Sequence, residues 1–323
     1  MGKKERFALG VDLGGTNIKL GIVSQSGKIV KQASIKTHAE EGPESVISQM
    51  KKGIKDILSK NKNDITGIGI GAAGVVTIEK GIVENPPNIP GWGKVKLGEI
   101  ISKEFNIEVH VENDANAAAV GEMIFGNGKN LQSFIMVTLG TGVGGGIIMN
   151  KKLFRGEFGA AGEVGHVTIK YGGTKCKCGS FGCVETYLGN SYLINIVKKS
   201  LPKHPNSLIW KIIKNDLEQL SPIVIQQAME QGDEYAVSIV NDMGLHLGSA
   251  LASVSNLLDI STFIIGGGVA GFGKPLFNAA GKTIRARVLT PLRKRVKVLP
   301  AKLKNNAGIK GASALVFYKS GNI

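Results

Sequence analysis

One short device occurs twice in this chain, 126 positions apart. Asp12-Leu13-Gly14-Gly15-Thr16 and Thr138-Leu139-Gly140-Thr141-Gly142 each stand between two apolar stretches that read as strands. Both turns are rich in Gly and Thr. Glycine lets consecutive backbone N–H groups converge on an anion, and a threonine hydroxyl adds a donor. Two copies of one β-turn-β unit predict a duplicated α/β fold with a cleft between its halves. A chain of 323 residues has room for two domains, each with its own core.

Apolar residues make up 42% of the chain and charged residues 20%, as in a soluble globular protein. No uninterrupted apolar run is long enough for a membrane span. The polar start leads straight into Phe7–Asp12, leaving no room for a signal peptide. Gly2 lacks the Ser or Thr that myristoylation wants, because Arg6 stands there. A cytoplasmic location is therefore expected, where cysteines stay reduced and serve metals better than disulfides. The net charge of +15 is uneven: from Ile260 onward there are twelve Lys or Arg and no Asp or Glu. The run Arg293-Lys294-Arg295-Val296-Lys297 would attract a polyanion or simply form a solvated basic face. No aromatic residue interleaves it, so base stacking is poorly served and nucleic acid is not expected as a partner.

Periodicity predicts strands near 6–12, 19–24 and 28–35, then a helix over 43–59 with Val46, Ile47, Met50, Ile54 and Ile57 on one stripe. Further strands are expected at 65–71, 107–112, 133–139, 144–150 and 260–265. Helices are expected from Asn113-Asp114 to about Phe125, near 186–200, 221–230 and 233–257, up to about 287, and over 306–319.

Each motif admits a plain reading beside a functional one. The first turn is either an ordinary glycine hairpin or an anion cradle in which Asp12 holds a water of Mg²⁺. Gly140-Thr141-Gly142-Val143-Gly144-Gly145 fits a dinucleotide fingerprint formally, but a strand follows it where that mechanism needs a helix. Gly268 to Lys274 comes near a P-loop, yet Pro275 replaces the Ser or Thr that binds Mg²⁺. Gly266-Gly267-Gly268 fits either a helix-entry turn or close approach to a flat ligand such as adenine. Asn113-Asp114 opens a helix, so Asp114 is a cap, a base, or both. As a base it would be kept ionised by the positive helix end.

All three cysteines fall within Cys176-Lys-Cys178-Gly-Ser-Phe-Gly-Cys183, ten residues after His166. Three thiolates and one imidazole make a tetrahedral zinc set, closed by four protein ligands and therefore structural. Glu163 and Glu185 flank that set. Paired carboxylates there suit a polyhydroxylated ligand, since each accepts from two hydroxyls; surface charge is the alternative.

Together these pieces resemble the ROK family of repressors and sugar kinases, most of all its bacterial glucokinase branch. The matching motifs are Asp12–Lys19, Val111-Glu-Asn-Asp114-Ala-Asn-Ala, Leu139–Gly146, Gly162-Glu-Val-Gly-His166, Cys176–Glu185 and Ala307-Gly-Ile-Lys-Gly311-Ala. The resemblance implies a duplicated actin/hexokinase-like (ribonuclease H-like) two-domain α/β fold. One domain would hold 1–113 with about 305–323, and the larger 114–304. It also implies ATP-dependent phosphorylation of glucose at the 6-hydroxyl, with Mg²⁺ and a structural Zn²⁺. Asp114 would be the base. Asn88, Asn113, Glu163, His166 and Glu185 would contact the sugar. Asp12, Gly14, Gly15, Thr16, Asn17, Lys19, Thr141 and Gly142 belong to the nucleotide side, with Gly267 and Gly268 near adenosine. A homodimer or homotetramer is expected. N-acetylmannosamine, N-acetylglucosamine or fructose are alternative acceptors, and polyphosphate an alternative donor. A sugar-responsive repressor is the non-enzyme alternative, disfavoured because only six residues precede Phe7. Ala72-Ala73-Gly74 lacks the proline common in similar proteins, which predicts a looser sugar-side loop. Asn305-Asn306 replaces the more usual Asp at the last helix, a matter of capping.

Overall fold

Leu9, Val11 and Leu13 alternate with smaller residues along strand β1 (Phe7–Leu13), and this pattern organises the first half of the molecule. The computed structural model describes residues 5–59, 61 and 64–319. Gly2 lies outside the described residues. The chain forms two compact units: 1–133 with 146–162 and 301–323, and 134–145 with 163–300.

In the first unit β1 pairs antiparallel with β2 (Asn17–Ser24), which pairs with β3 (Ile29–Lys36). Helix α1 (Pro43–Ser59) follows, then β4 (Ile65–Ala72), parallel to β1. A small sheet of β5 (Val75–Thr77), β6 (Ile82–Glu84) and β7 (Lys94–Val95) comes next. Helix α2 (Leu97–Phe105) leads to β8 (Val109–Asn113), parallel to β4, and then to α3 (Asp114–Phe125). The main sheet has the order β3-β2-β1-β4-β8. One face carries Leu9, Val11, Leu20 and Ile70 against the α1 stripe of Val46, Met50, Ile54 and Ile57, all fully or nearly fully buried. At roughly 1.5–3 kcal/mol for each large apolar side chain buried, this stripe is what holds α1 in place.

The sequence signals miss the small sheet, α2 and three elements further on. Gly, Pro and short runs interrupt periodicity over 74–96, and strands of two or three residues are too short to show it.

Helix α10 (Ala307–Lys319) lies on the other face of that sheet. Glycine makes this possible: a Cβ on Gly10 would run into the Ile309 carbonyl, and one on Gly69 into that of Ala312. Gly121 of α3 meets Gly311 of α10 in the same backbone-to-backbone manner. This is why α3 belongs with the first unit. The expected boundary at 113/114 would have cut α3 away from the helix it packs on, and the compact units run through 133 instead.

The second unit is built on β9 (Phe134–Leu139); β10 (Val143–Met149) straddles the division, and β11 (Lys152–Phe154) falls within the first unit. The segment expected as one helix over 186–200 is two, α4 (Glu185–Leu188) and α5 (Asn190–Ser200). Gly189 between them is extended, at φ −64 and ψ 140. Helices α6 (Leu208–Ile212), α7 (Pro222–Glu230) and α8 (Glu234–Leu258) follow, then β12 (Thr262–Gly266), α9 (Lys274–Arg287) and β13 (Lys297–Pro300). The strand order is β11-β10-β9-β12-β13, with β12 parallel to both β9 and β13. Asp233 starts α8 by accepting from the Ala236 N–H at 2.7 Å. The basic run 293–297 is anchored by buried Leu292 and Val296 while Arg293, Lys294, Arg295 and Lys297 are exposed, as a solvated face requires. Among the described residues no helix is long and apolar enough to cross a membrane.

Candidate active site

Strand β8 delivers Asn113 and Asp114 to the start of α3, and the structure divides their labour. Asn113 is the cap: its Oδ1 accepts from the N–H groups of Ala115 (2.9 Å) and Asn116 (3.2 Å). Its Nδ2 donates to the Gly74 carbonyl at 3.1 Å. Asp114 is the first helical residue, and its Oδ1 accepts from the Ala115 N–H at 2.8 Å. Burial raises its pKa, and the backbone N–H groups of the helix start oppose that only in part. The helix-start N–H groups favour the ionised form as expected, and desolvation is the larger effect on the pKa. A base with a raised pKa holds a transferred proton better than an ordinary Asp. The Asn113–Gly74 bond also corrects the expected looseness of the loop at Ala72-Ala73-Gly74. Gly74 (φ 94) packs closely on Glu84 and Pro86, so that turn is fastened without a proline of its own.

The first glycine turn is held from behind. Thr37, fully buried, donates its hydroxyl to the Gly14 carbonyl at 2.7 Å and its N–H to the Thr16 carbonyl at 3.1 Å. The Gly14 N–H donates to the Asn17 carbonyl at 3.2 Å. Thr16 is exposed at the tip, and Asn88 packs against Gly15 so closely that a Cβ there would lie 2.9 Å from its own. Sequence reasoning missed Thr37, which carries no motif; only the β3 end brings it beneath the turn.

Asp12 faces Lys19 across the β1–β2 ladder. Burial raises its pKa from 3.8 to about 6; Lys19 lowers it, and the nearby Asp114 carboxylate raises it again. A Cβ on Gly308 of α10 would strike the Asp12 carboxylate, so α10 shields it from water. The sign of this linkage is unusual for an aspartate. Ionised Asp12 weakens the fold above pH 6, and stability recovers as pH falls from 6 toward 3.8. Asp12→Asn should therefore melt higher than wild type at pH 7.5, by up to about 3 kcal/mol or roughly 5 °C. A variant no more stable than wild type in a calorimetric scan would show that the carboxylate is not under this strain.

In the second unit His166, Cys176, Cys178 and Cys183 come together as a group that could hold a metal ion. The ligand atoms of His166, Cys176, Cys178 and Cys183 all lie within 4.8 Å of one another. Cys178 Sγ is 3.7 Å from Cys183 Sγ, and Cys176 Sγ is 3.7 Å from His166 Nδ1. A tetrahedron with Zn–S bonds of about 2.3 Å has S···S edges of about 3.8 Å, so the spacing fits. The chemistry of the donors agrees. Burial, with the other two thiols close by, pushes the Cys183 thiol up to about 12, so three thiolates in this space need a cation. Backbone bonds shape the loop: the Cys176 N–H donates to the Ser180 carbonyl (2.8 Å), and the Gly179 N–H to that of Cys176 (3.0 Å).

His166 turns Nδ1 toward the sulfurs and Nε2 toward Glu163, 4.0 Å from Oε2. Glu185 does something sequence reasoning did not foresee. Its Oε2 accepts from the Val143 N–H at 2.9 Å, inside the second glycine turn, while Oε1 lies 3.9 Å from Cys176 Sγ. A Cβ on Gly142 would collide with that carboxylate. The turn is further closed by Gly140 N–H to Gly142 carbonyl (2.9 Å) and by Asn190 N–H to Gly140 carbonyl (3.0 Å). Gly267 (φ 89) lies under the Leu139 backbone, too close for any side chain, and Gly268 follows it. The first unit thus collects Asp12, Gly14 to Asn17, Lys19, Asn88, Asn113 and Asp114. The second collects Thr141, Gly142, Glu163, His166, Glu185, Gly267 and Gly268.

A family model described as the ROK family matches residues 8–319. The chain belongs to the ROK family. Among ROK relatives, a glucokinase of Halalkalibacterium halodurans is 34% identical over 317 residues, covering 97% of this chain and 95% of that protein. The solved structure of a ROK glucokinase from Streptomyces griseus, in complex with glucose and AMPPNP, matches with a TM-score of 0.84 at 34% identity. It covers 96% of this chain and 98% of the other. A ROK relative of a different kind, a xylose repressor of Caldicellulosiruptor bescii, is 30% identical over 314 residues, 95% of this chain and 77% of its own length. The mixed α/β architecture with open sheets is that of ROK sugar kinases, the actin/hexokinase-like fold expected from the motifs.

Proposed function

We propose that this ROK protein is an ATP-dependent glucokinase, a hexose kinase that transfers the γ-phosphoryl group of ATP to the 6-hydroxyl of glucose. The observation that carries this reading is Asp114, a solvent-accessible carboxylate at a helix start whose capping is done by Asn113. The likeness to a glucokinase holding glucose and AMPPNP, over nearly the whole chain, supports it. In the reaction the O6–H proton passes to Asp114 as O6 bonds to the γ-phosphorus and the bond to the β-phosphate oxygen breaks, releasing ADP. Little else is asked of a base in phosphoryl transfer than to orient the hydroxyl and accept its proton. The backbone N–H groups of the two glycine turns and the Thr16 and Thr141 hydroxyls would hold phosphate oxygens.

Mg²⁺, when bound with ATP, neutralises phosphate charge; the half-buried Asp12 carboxylate would hold one of its waters. His166, Cys176, Cys178 and Cys183 would hold a structural Zn²⁺. With four protein ligands its shell is closed, so it braces the loop and does not activate water. Asn88, Asn113, Glu163, His166 and Glu185 would take the sugar hydroxyls. Asn113 Oδ1 is engaged by the helix, so its contribution is through the amide N–H. The protein would act as a homodimer or homotetramer, which light scattering on the purified chain reads directly.

Initial rates for glucose, fructose, N-acetylmannosamine and N-acetylglucosamine, each with ATP and with polyphosphate, test the assignment. Glucose with ATP should give the highest kcat/KM. A tenfold preference for another sugar or donor would reassign that substrate, and no transfer to any of them would sink the kinase reading. Likeness to a xylose repressor favours a second reading, in which the sugar-binding unit serves regulation. Sequence-specific DNA retention in a gel shift at physiological salt, combined with no turnover, would favour that reading.

A further inference from the structure

Glu112 precedes the Asn113-Asp114 pair and is 2% exposed. Its Oε1 accepts from the Asn113 backbone N–H at 3.0 Å and from Asn116 Nδ2 at 3.2 Å. Its Oε2 accepts from Arg155 Nε at 2.8 Å, and the arginine side chain is 22% exposed. One carboxylate therefore grips the chain on both sides of Asp114, and one guanidinium neutralises it. The Arg155 carbonyl in turn accepts from the Ala161 N–H at 3.0 Å, closing the short loop that follows.

A buried ion pair of this kind is poor evidence for stability, because desolvating two charges offsets most of their attraction. Packing alone does not account for it either, since an apolar pair of similar volume would fill the same space. What the pair does supply is direction. With the Asn113 N–H and the Asn116 amide both fixed to Glu112, the first turn of α3 cannot rotate about its axis. The Asp114 carboxylate, one residue from each fixed point or two, is then held to one orientation. A base misplaced by about 1 Å loses roughly a hundredfold in rate.

We infer that Glu112 and Arg155 are positioning residues for the base Asp114, acting on turnover without touching substrate. This rests on the glucokinase reading, since it assigns Asp114 a proton to receive. Glu112→Gln keeps the shape and one acceptor but loses the charge that holds Arg155 and strengthens both N–H bonds. Arg155→Met leaves the Glu112 charge buried and unpaired, while Arg155→Lys restores part of the neutralisation.

The test is steady-state kinetics with glucose and ATP on the full chain, alongside Asp114→Asn. Glu112→Gln should lower kcat about 10- to 100-fold with the KM for ATP within twofold, and Arg155→Lys should fall between wild type and Arg155→Met. In the Asp114→Asn background, Glu112→Gln should cost less than threefold more, because both changes act through one carboxylate. If a single change unfolds the protein, the pair E112Q/R155M removes both charges together and is read in the same way. A kcat for Glu112→Gln within twofold of wild type, or a full additive loss on top of Asp114→Asn, overturns the positioning role. Wild-type protein with no glucose turnover overturns the kinase reading itself and this role with it, a result separate from the other two.

Discussion

Asp114→Asn should lower kcat for glucose phosphorylation by roughly 10³-fold or more, with glucose affinity within about threefold of wild type. The asparagine is isosteric and can still accept from the Ala115 N–H, the bond the carboxylate makes at 2.8 Å. Helix α3 should also keep its start, because Asn113 does the capping. The change therefore isolates the loss of proton acceptance from any loss of fold. Steady-state rates, glucose titration by calorimetry and a melting curve on the same preparation check the three parts together. Turnover within tenfold of wild type would remove Asp114 from the mechanism. The acid side of the wild-type rate profile belongs to the same argument. Asp12 is pushed to about 6, so its loss of charge should lower kcat/KM as pH drops through about 6, and Asp114, pushed above the ordinary 3.8, adds to the fall.

Removing the metal should have the next largest effect, on both substrates. Chelation followed by return of Mg²⁺, or Cys178→Ser, should weaken glucose binding at least tenfold, because His166 and Glu185 lose the loop that places them. From the position of Glu163 and Glu185 beside the cysteines in sequence, sugar affinity is expected to suffer first. The structure adds the nucleotide side, since Glu185 holds the Val143 N–H at 2.9 Å within the second glycine turn while lying 3.9 Å from Cys176 Sγ. The KM for ATP should therefore rise several-fold as well. Calorimetric titration with glucose and with AMPPNP, set beside zinc content per chain by elemental analysis, measures it. A zinc-free protein that binds both ligands normally would mean the cluster only staples the fold.

Much of the candidate site was legible because its residues are adjacent in sequence. The two glycine turns, Asn113-Asp114 and the Cys176–Glu185 segment each keep their parts within a dozen positions, and local chemistry speaks for them. Helix α1 was read to its observed ends, Pro43 and Ser59, because an apolar stripe at 3.6-residue spacing has few other solutions. The small sheet over 75–95 and the break at Gly189 were not legible. Neither has a period to detect: short strands pair through their neighbours, and a glycine can extend a helix or end it. Thr37 and Arg155 were invisible for another reason. Each acts on a residue far along the chain, Thr37 on Gly14 and Arg155 on Glu112, through single hydrogen bonds that leave no pattern in the sequence.

What the sequence by itself determined is the inventory: two glycine-rich turns, one carboxylate at a helix start, three cysteines and a histidine at metal-ligand spacing, and two flanking glutamates. These follow from residue type and short spacing, which local covalent geometry converts directly into structure. The tertiary structure alone decided how the groups are used. It assigned the cap to Asn113 and so left Asp114 available. It buried Asp12 beneath Gly308 and so raised its pKa. It turned Glu185 toward Val143, tying the segment beside the cysteine cluster to the second glycine turn. In each case the deciding quantity is burial or a hydrogen bond between residues distant in sequence, and neither exists until the chain has folded.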